Sequence, residues 1–338
     1  MPIRFGIIGT SWITDSFIKS AQETGAWQLA AVYSRSEETA KTFGAKYGVT
    51  TTYTSVDALA HDSGVAAVYI ASPNSLHYAH AAELLQAGKH VIVEKPATST
   101  LAEFDKLVAL AREKKVFLIE AYRHIQEANF AKAKTVGLQK VGPLYGASLN
   151  YASYSSRYDA VLAGELPNVF SPKLSAGSLV DLGVYPIMAA VALFGRPKSA
   201  VYHPILIPGA QADAGGIIVL VYGPSEASPS GFAVSIHASK CYTSTAPSEV
   251  YGQNGTLVIN ATTDIDRVDY IDARSKRVES LAGPKAPLNL MEEAAEFARI
   301  IEEQDWDAAE KLQDMGRAVL EVTVELRRQN GIVFDAEK

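Results

Sequence analysis

The sequence predicts an α/β fold in two parts. An N-terminal parallel sheet carries helices on both faces, and a C-terminal α+β domain is built on a large, mostly antiparallel open sheet. Three observations carry this reading. The first 122 residues alternate short apolar runs with helical stretches. A glycine turn, Gly6-Ile7-Ile8-Gly9-Thr10, closes the first apolar run. Beyond residue 122 the alternation gives way to β-rich segments punctuated by turn dipeptides. Repeated βα units of this length imply a parallel sheet, because each crossover is long and right-handed.

The elements follow in order. Residues 3–8 read as the first strand and 12–24 as a helix stopped by Gly25. Residues 28–33 form the second strand, ahead of a helix over 37–47 closed by Gly48. A weak third strand over 50–53 precedes a short helix over 56–61. The apolar run 65–71 is the fourth strand, followed by a helix over 76–86. Residues 90–93 are the fifth strand, 101–114 a helix and 116–119 the sixth strand. The first domain is therefore 1–122 and the second 123–338. In the second, 123–140 look helical, 143–156 read as a strand, and 157–178, rich in Pro, Ser and Gly, as loop. An apolar helix over 179–194 ends at Gly195-Arg196-Pro197. Strands between 198 and 271 are separated by Pro208-Gly209, Gly223-Pro224 and Asn254-Gly255. Helices return over 290–303 and 307–329.

Composition bounds the function. With 338 residues, 48% apolar and 20% charged, the chain can bury two sizeable cores. A net charge of −6, without a Lys/Arg run, argues against nucleic-acid binding. The single cysteine, Cys241, excludes an intrachain disulfide and a cysteine metal site, and no metal is expected. No apolar stretch is read as approaching the ~20 residues of a membrane span. The chain opens into a strand with no signal peptide. A cytoplasmic protein with a small-molecule substrate is expected.

The glycine turn is a candidate nucleotide site. Gly9 stands where a dinucleotide-binding turn needs its first glycine, Ser11 in place of the second and Thr14 in place of the third. Gly9, Thr10, Ser11, Trp12 and Ile13 are the candidate pyrophosphate contacts, at a helix N-terminus that favours anions. The second strand ends at Tyr33-Ser34-Arg35-Ser36, without the carboxylate that would bond the ribose of NAD. Ser34, Arg35 and Ser36 instead suit a 2′-phosphate, which a guanidinium can grip in bidentate fashion. NADP is the expected cofactor, with NAD as the alternative. The fourth strand leads into Ser72-Pro73-Asn74, and His77 opens the next helix, where it would face the nicotinamide.

The fifth strand runs into Glu94-Lys95-Pro96. A lysine there lies at the ligand edge of an open parallel sheet. Its ammonium could polarise an oxygen or join in proton transfer.

These segments, in this order, together with Ala87-Gly88-Lys89-His90-Val91 and Asp181-Leu182-Gly183-Val184-Tyr185-Pro186, resemble the glucose–fructose oxidoreductase/inositol dehydrogenase family, Gfo/Idh/MocA, over essentially the whole chain. The tyrosine at 185 is similar to the NADP-dependent dihydrodiol dehydrogenase/glucose–fructose oxidoreductase branch. The resemblance implies an N-terminal Rossmann domain and a C-terminal sheet that mediates a homodimer or homotetramer. It implies reversible hydride transfer to or from a sugar, cyclic polyol or dihydrodiol. Lys95, Asp181 and Tyr185 are the implied catalytic residues, with Glu94 and Arg123 near the cofactor. On this reading Tyr185 is the acid/base, Lys95 lowers its pKa, and Asp181 holds Lys95 or a substrate hydroxyl; Lys95 as the proton-transfer group stays open. Arg157, Lys173 and the tyrosines at 151, 154 and 158 are weaker contacts. A non-catalytic NADP-binding regulator and a redox-assisted glycosidase are the alternatives.

Overall fold

The structure, a computed structural model, describes residues 1–338. It divides into two compact units, Met1–Arg123 with Ala286–Arg317, and His124–Lys285 with Ala318–Lys338.

The first unit follows the βα rhythm of the sequence. Its elements are β1 (Ile3–Ile8), α1 (Trp12–Glu23), β2 (Trp27–Tyr33), α2 (Glu37–Ala45), β3 (Thr52–Tyr53), α3 (Val56–Ala60), β4 (Ala67–Ile70), α4 (His77–Gln86), β5 (His90–Glu94), α5 (Leu101–Lys114) and β6 (Leu118–Ala121). The strand order is β3-β2-β1-β4-β5-β6, all parallel. Winding proceeds outward in both directions from β1 and β4. Their C-terminal ends therefore open the crevice where doubly wound sheets bind ligands. A capping box fixes the start of α5: Thr100 accepts from the Glu103 N–H, and the Glu103 carboxylate accepts from the Thr100 N–H.

The expected boundary at 122 needs one correction, because residues 286–317 return to the first unit. The helix Met291–Glu303 is amphipathic, and its Ala294, Phe297, Ala298, Ile300 and Ile301 join the cluster of Phe5, Phe17, Trp27 and Tyr69. Phe17 stacks on Tyr69 at 3.9 Å, and the Trp27 indole N–H donates to the Ala294 carbonyl at 2.7 Å. A face this apolar is stable only against another apolar face.

The second unit is built on an eight-stranded sheet of β7 (Leu144–Ala152), β8 (Ser199–Leu206), β9 (Asp213–Tyr222), β10 (Phe232–Ser239), β11 (Ser248–Gly252), β12 (Gly255–Ile259), β13 (Val268–Asp272) and β14 (Val278–Ser280). The order is β14-β13-β12-β11-β7-β10-β9-β8, antiparallel except for β7 and β10. On β9, Ile218, Leu220 and Tyr222 are buried while Ile217 and Val221 are exposed, the alternation of a sheet covered on one face. The covering element is a helix that begins with a π-type turn, Leu179–Gly183, and continues as Val184–Phe194. Contrary to expectation, the stretch Pro172–Phe194 is apolar and long enough to cross a membrane, with mean hydropathy 1.7. Burial of 67% of its most apolar window inside the fold accounts for that composition. The region 157–178 is not wholly loop; it holds short helical turns at Tyr158–Leu162, Asn168–Phe170 and Pro172–Leu174.

Truncating Phe297 to alanine should destabilise the full chain by about 3–5 kcal/mol, the scale of a buried phenylalanine. Urea unfolding checks this. An unshifted midpoint would show that the Met291–Glu303 helix does not complete the first core.

Candidate functional site

The ligand edge of the first sheet begins at Gly9, whose φ is +104°. A Cβ there would lie 2.5 Å from the Ala71 carbonyl oxygen, so only glycine lets β1 turn this close to the end of β4. Beyond the turn Ser11 is the N-cap of α1, and its side chain makes no capping bond. A cavity of about 340 Å³ opens here, lined by Gly9, Thr10, Ser11, Ser34, Arg35, Ser72, Pro73 and His80 together with Ile8, Tyr33, Ala71 and Leu76. Its lining holds hydroxyls, a guanidinium and an imidazole, and no carboxylate. Donors without a carboxylate, at the free start of a helix, form a cradle for phosphate groups. These residues fit a dinucleotide.

The other expected cofactor residues lie around that cavity. Trp12 is 77% exposed at the first position of α1, and Ile13 packs partly against the core. Ser36 caps α2, accepting from the Thr39 N–H at 3.3 Å. Asn74 opens a short 3₁₀ turn, Asn74–Leu76.

His77 requires a correction. Its ring does not line the cavity; it is 1% exposed, with Nε2 2.8 Å from the Ser72 carbonyl and Nδ1 2.9 Å from the Pro96 carbonyl. Burial pushes its pKa down to about 4, against the pull of those carbonyls. The neutral ring, with one N–H to donate, is wedged between the turn after β4 and the turn after β5. The histidine at the cavity is His80, whose Nδ1 is 3.1 Å from the Ser72 hydroxyl and whose ring meets Tyr33 edge-on.

Lys95 leaves the end of β5 within a group of buried acids. Tyr69 donates its hydroxyl to Glu94 Oε1 at 2.5 Å. Burial raises the pKa of Glu94, while the charge of Lys95 holds it back. Glu120, at the end of β6, accepts the Ala97 N–H at 2.7 Å, two residues beyond Lys95. Burial pushes Glu120 up to about 7, opposed by the Ala97 N–H and the Tyr122 hydroxyl, and Lys95 also favours its charged form. Glu293 is buried too and stands well above the usual carboxylate range, with Glu94 adding to burial and Arg123 opposing it. Gly316 makes room for this group, since a Cβ there would sit 2.4 Å from Glu120 Oε2. Lys95 and Arg123 are thus the cations of a three-carboxyl cluster.

In the second unit, Asp181 and Tyr185 lie one turn apart on the helix that covers the sheet. The start of that helix is held by Asp213, which is 1% exposed and accepts the Leu179 N–H at 2.7 Å and the Tyr202 hydroxyl at 2.8 Å. Burial pushes Asp213 up to about 6. The Tyr185 ring meets His124 at 5.2 Å and Tyr151 at 5.4 Å, edge to face. Asp181 forms an ion pair with Lys240, which follows β10. Arg157 lines a separate cavity of about 370 Å³ with Pro167, Asn168 and Val169. Tyr154 donates to Asp159 at 2.6 Å, and Tyr158 packs on Phe170. Lys173 lies in the turn Pro172–Leu174.

Sequence reasoning missed Glu120, Glu293, His80 and Lys240. Glu120 carried a signal, an acid at the C-terminal end of an apolar strand. Lys240 and Glu293 carried none, because nothing local marks a residue whose partner lies far along the chain.

Comparison with known proteins accords with this geometry. A family model described as an oxidoreductase family with an NAD-binding Rossmann fold matches residues 3–122. The chain is 40% identical to the uncharacterised oxidoreductase YgjR of Escherichia coli (strain K12), over 99% of this chain and 98% of that protein. It is 38% identical to IolU of Bacillus subtilis (strain 168), an NADP(+) scyllo-inositol 2-dehydrogenase, over 99% of both. The aldose-aldose oxidoreductase from Caulobacter crescentus, solved with glycerol, shares the fold at a TM-score of 0.79 and 21% identity, covering 97% of this chain and 98% of that one.

Glu120 generates a pH prediction. Its pKa in the folded chain, about 7, lies above the ordinary 4.5, so the folded state binds the proton more tightly. The stability it confers is complete below about 4.5 and is lost as pH rises to about 7. Glu120→Gln, which keeps the acceptor for Ala97, should flatten the decline in unfolding free energy over that window and be the more stable form at pH 8. Equal slopes for wild type and variant would contradict the assignment.

Proposed function

The chain belongs to the Gfo/Idh/MocA family of oxidoreductases, and on that premise we propose that it oxidises a ring carbinol of a cyclic polyol, and reduces the matching ketone, with NADP. It is an NAD(P)-dependent dehydrogenase, and NADP is its cofactor. The observation that carries the cofactor reading is the cavity in which Gly9 and Ser11 stand at one helix start and Arg35 at the next, with no carboxylate in the lining.

When bound, NADP would supply the hydride acceptor for the carbinol carbon. The remaining work falls to side chains. Gly9, Thr10 and Ser11 would hold the pyrophosphate, and Ser34 and Arg35 the 2′-phosphate. Tyr185 takes the hydroxyl proton as the carbonyl forms and returns it in the reverse direction. The Lys95 ammonium stabilises negative charge on the reacting oxygen. Asp181 accepts a substrate hydroxyl. Polyols suit a site of acceptor and donor groups set among aromatic rings, and IolU, similar along its whole length, is named for an inositol. The cytoplasm is the compartment proposed.

We further propose a homodimer or homotetramer formed through the open face of the second sheet. Val201 and Ile205 of β8 and Ile217 and Val221 of β9 are all exposed on that face, an apolar patch that favours cover.

Three outcomes test these proposals. Arg35→Ala should weaken NADP binding by about 1–3 kcal/mol, the scale of charge-assisted hydrogen bonds, and leave NAD binding nearly unchanged. Calorimetric titration reads both, and equal losses would remove Arg35 from cofactor choice. Lys95→Ala and Tyr185→Phe should each lower turnover of a cyclic polyol by about 10²-fold or more. For Tyr185→Phe the NADP dissociation constant should stay put; full activity would leave Lys95 as the proton-transfer group. Light scattering at micromolar concentration should report a particle at least twice the 36.3 kDa of the chain, and a monomer would exclude the sheet interface.

A further inference from the structure

The Asp181–Lys240 pair has features that a stabilising salt bridge would not need. Lys240 is only 7% exposed, so its stem and ammonium are both taken from water. Desolvation of such a pair offsets most of its Coulombic gain, and apolar replacements are often neutral or better. The backbone of Lys240 is held from both sides, its N–H donating to the Ala214 carbonyl at 2.8 Å and its carbonyl accepting the Ser155 N–H at 2.9 Å. Next to Ala214, Asp213 grips the Leu179 N–H at the start of the helix that carries Asp181. The ends of β9 and β10 therefore hold both the helix and the carboxylate on it. Asp181 itself is not sealed away, since a third of its side chain (34%) is exposed. An ammonium fixed at one edge of a carboxylate limits its rotation. A carboxylate paired in this way offers hydroxyl donors only acceptor oxygens.

We propose that Lys240 is a positioning residue of this site: it orients Asp181 to accept the hydroxyl beside the reacting one, so that the substrate is a vicinal diol unit. The inference rests on the reading of Asp181 and Tyr185 as the polyol site. Tyr185 lies one turn further along the same helix face, its ring set between His124 and Tyr151. A substrate hydroxyl on Asp181 would then place its neighbour at the Tyr185 hydroxyl. Lys240 acts through Asp181 and needs no contact with the substrate.

The test is steady-state kinetics of the full chain with NADP and an inositol, on wild type and four variants, with NADP affinity as the control for folding. Lys240→Met should lower kcat/KM by roughly 10-fold or more, as misplacement of a contact group does, with NADP affinity unchanged. Lys240→Arg should recover most of the loss, since a second cation can orient the carboxylate. The uncharged pair Lys240→Met/Asp181→Asn should be no slower than Asp181→Asn alone, and this comparison stands even if Lys240→Met fails to fold. A monodeoxy analogue lacking the adjacent hydroxyl should be turned over equally by wild type and Lys240→Met. A folded Lys240→Met with wild-type kcat and KM would overturn the inference. So would a further loss in the double variant, because Lys240 would then act elsewhere. Wild type inactive on every polyol would instead sink the proposed function, and this inference with it. An active wild type that ignores Lys240 leaves that function standing.

Discussion

The His77 imidazole is packed between the two turns that form the ligand edge of the parallel sheet. Its two nitrogens lie within hydrogen-bonding distance of carbonyls on separate turns, Ser72 after β4 and Pro96 after β5. The neutral ring carries a single N–H, so it donates to one of these carbonyls and packs against the other, and its burial between them sets the spacing of the two turns. Everything at that edge inherits the constraint. Ser72 passes it to His80 and the dinucleotide cavity. Pro96 passes it to Lys95, whose turn is held again at Ala97 by Glu120. The turn that follows Lys95 is thus contacted at two successive residues, Pro96 and Ala97.

Charge is arranged to match. Burial raises the pKa of Glu94, Glu120 and Glu293, while Lys95 and Arg123 act against it. Each carboxyl thus sits nearer to neutrality than a surface acid, and Glu120 changes charge close to physiological pH. Shifts of this kind arise both at functional sites and in structural networks of buried charge. The second unit uses the same devices with other residues. Asp213, also raised by burial, holds a helix start, and Lys240 holds the acid on that helix.

Much of this was legible in the sequence. The period of the apolar runs placed every strand of the first sheet, and the bounds of β1 and α5 agree to the residue. Glycine at 9 and arginine at 35 were readable because their demands are local, one for backbone room and the other for charge at a strand end. What escaped depends on distant partners. Nothing near residue 290 announces that Phe297 packs with Phe17 and Trp27. His77 was expected at the cofactor because it opens a helix at the right edge; its carbonyl partners, one of them nineteen residues on, turn it inward. Asp181 was expected to hold Lys95 or a substrate hydroxyl, and only the pairing of β10 with β7 and β9 reveals Lys240 beside it.

The most direct test of the central claim follows the hydride itself. The chain would be incubated with NADPH deuterated at the reactive face of C4 and a ketone of an inositol, and the product weighed by mass spectrometry. The account predicts one deuterium on the reduced ring carbon for each NADPH consumed. NADPH that binds tightly yet transfers no deuterium to any keto-polyol would contradict it and leave a protein that senses the cofactor without using it.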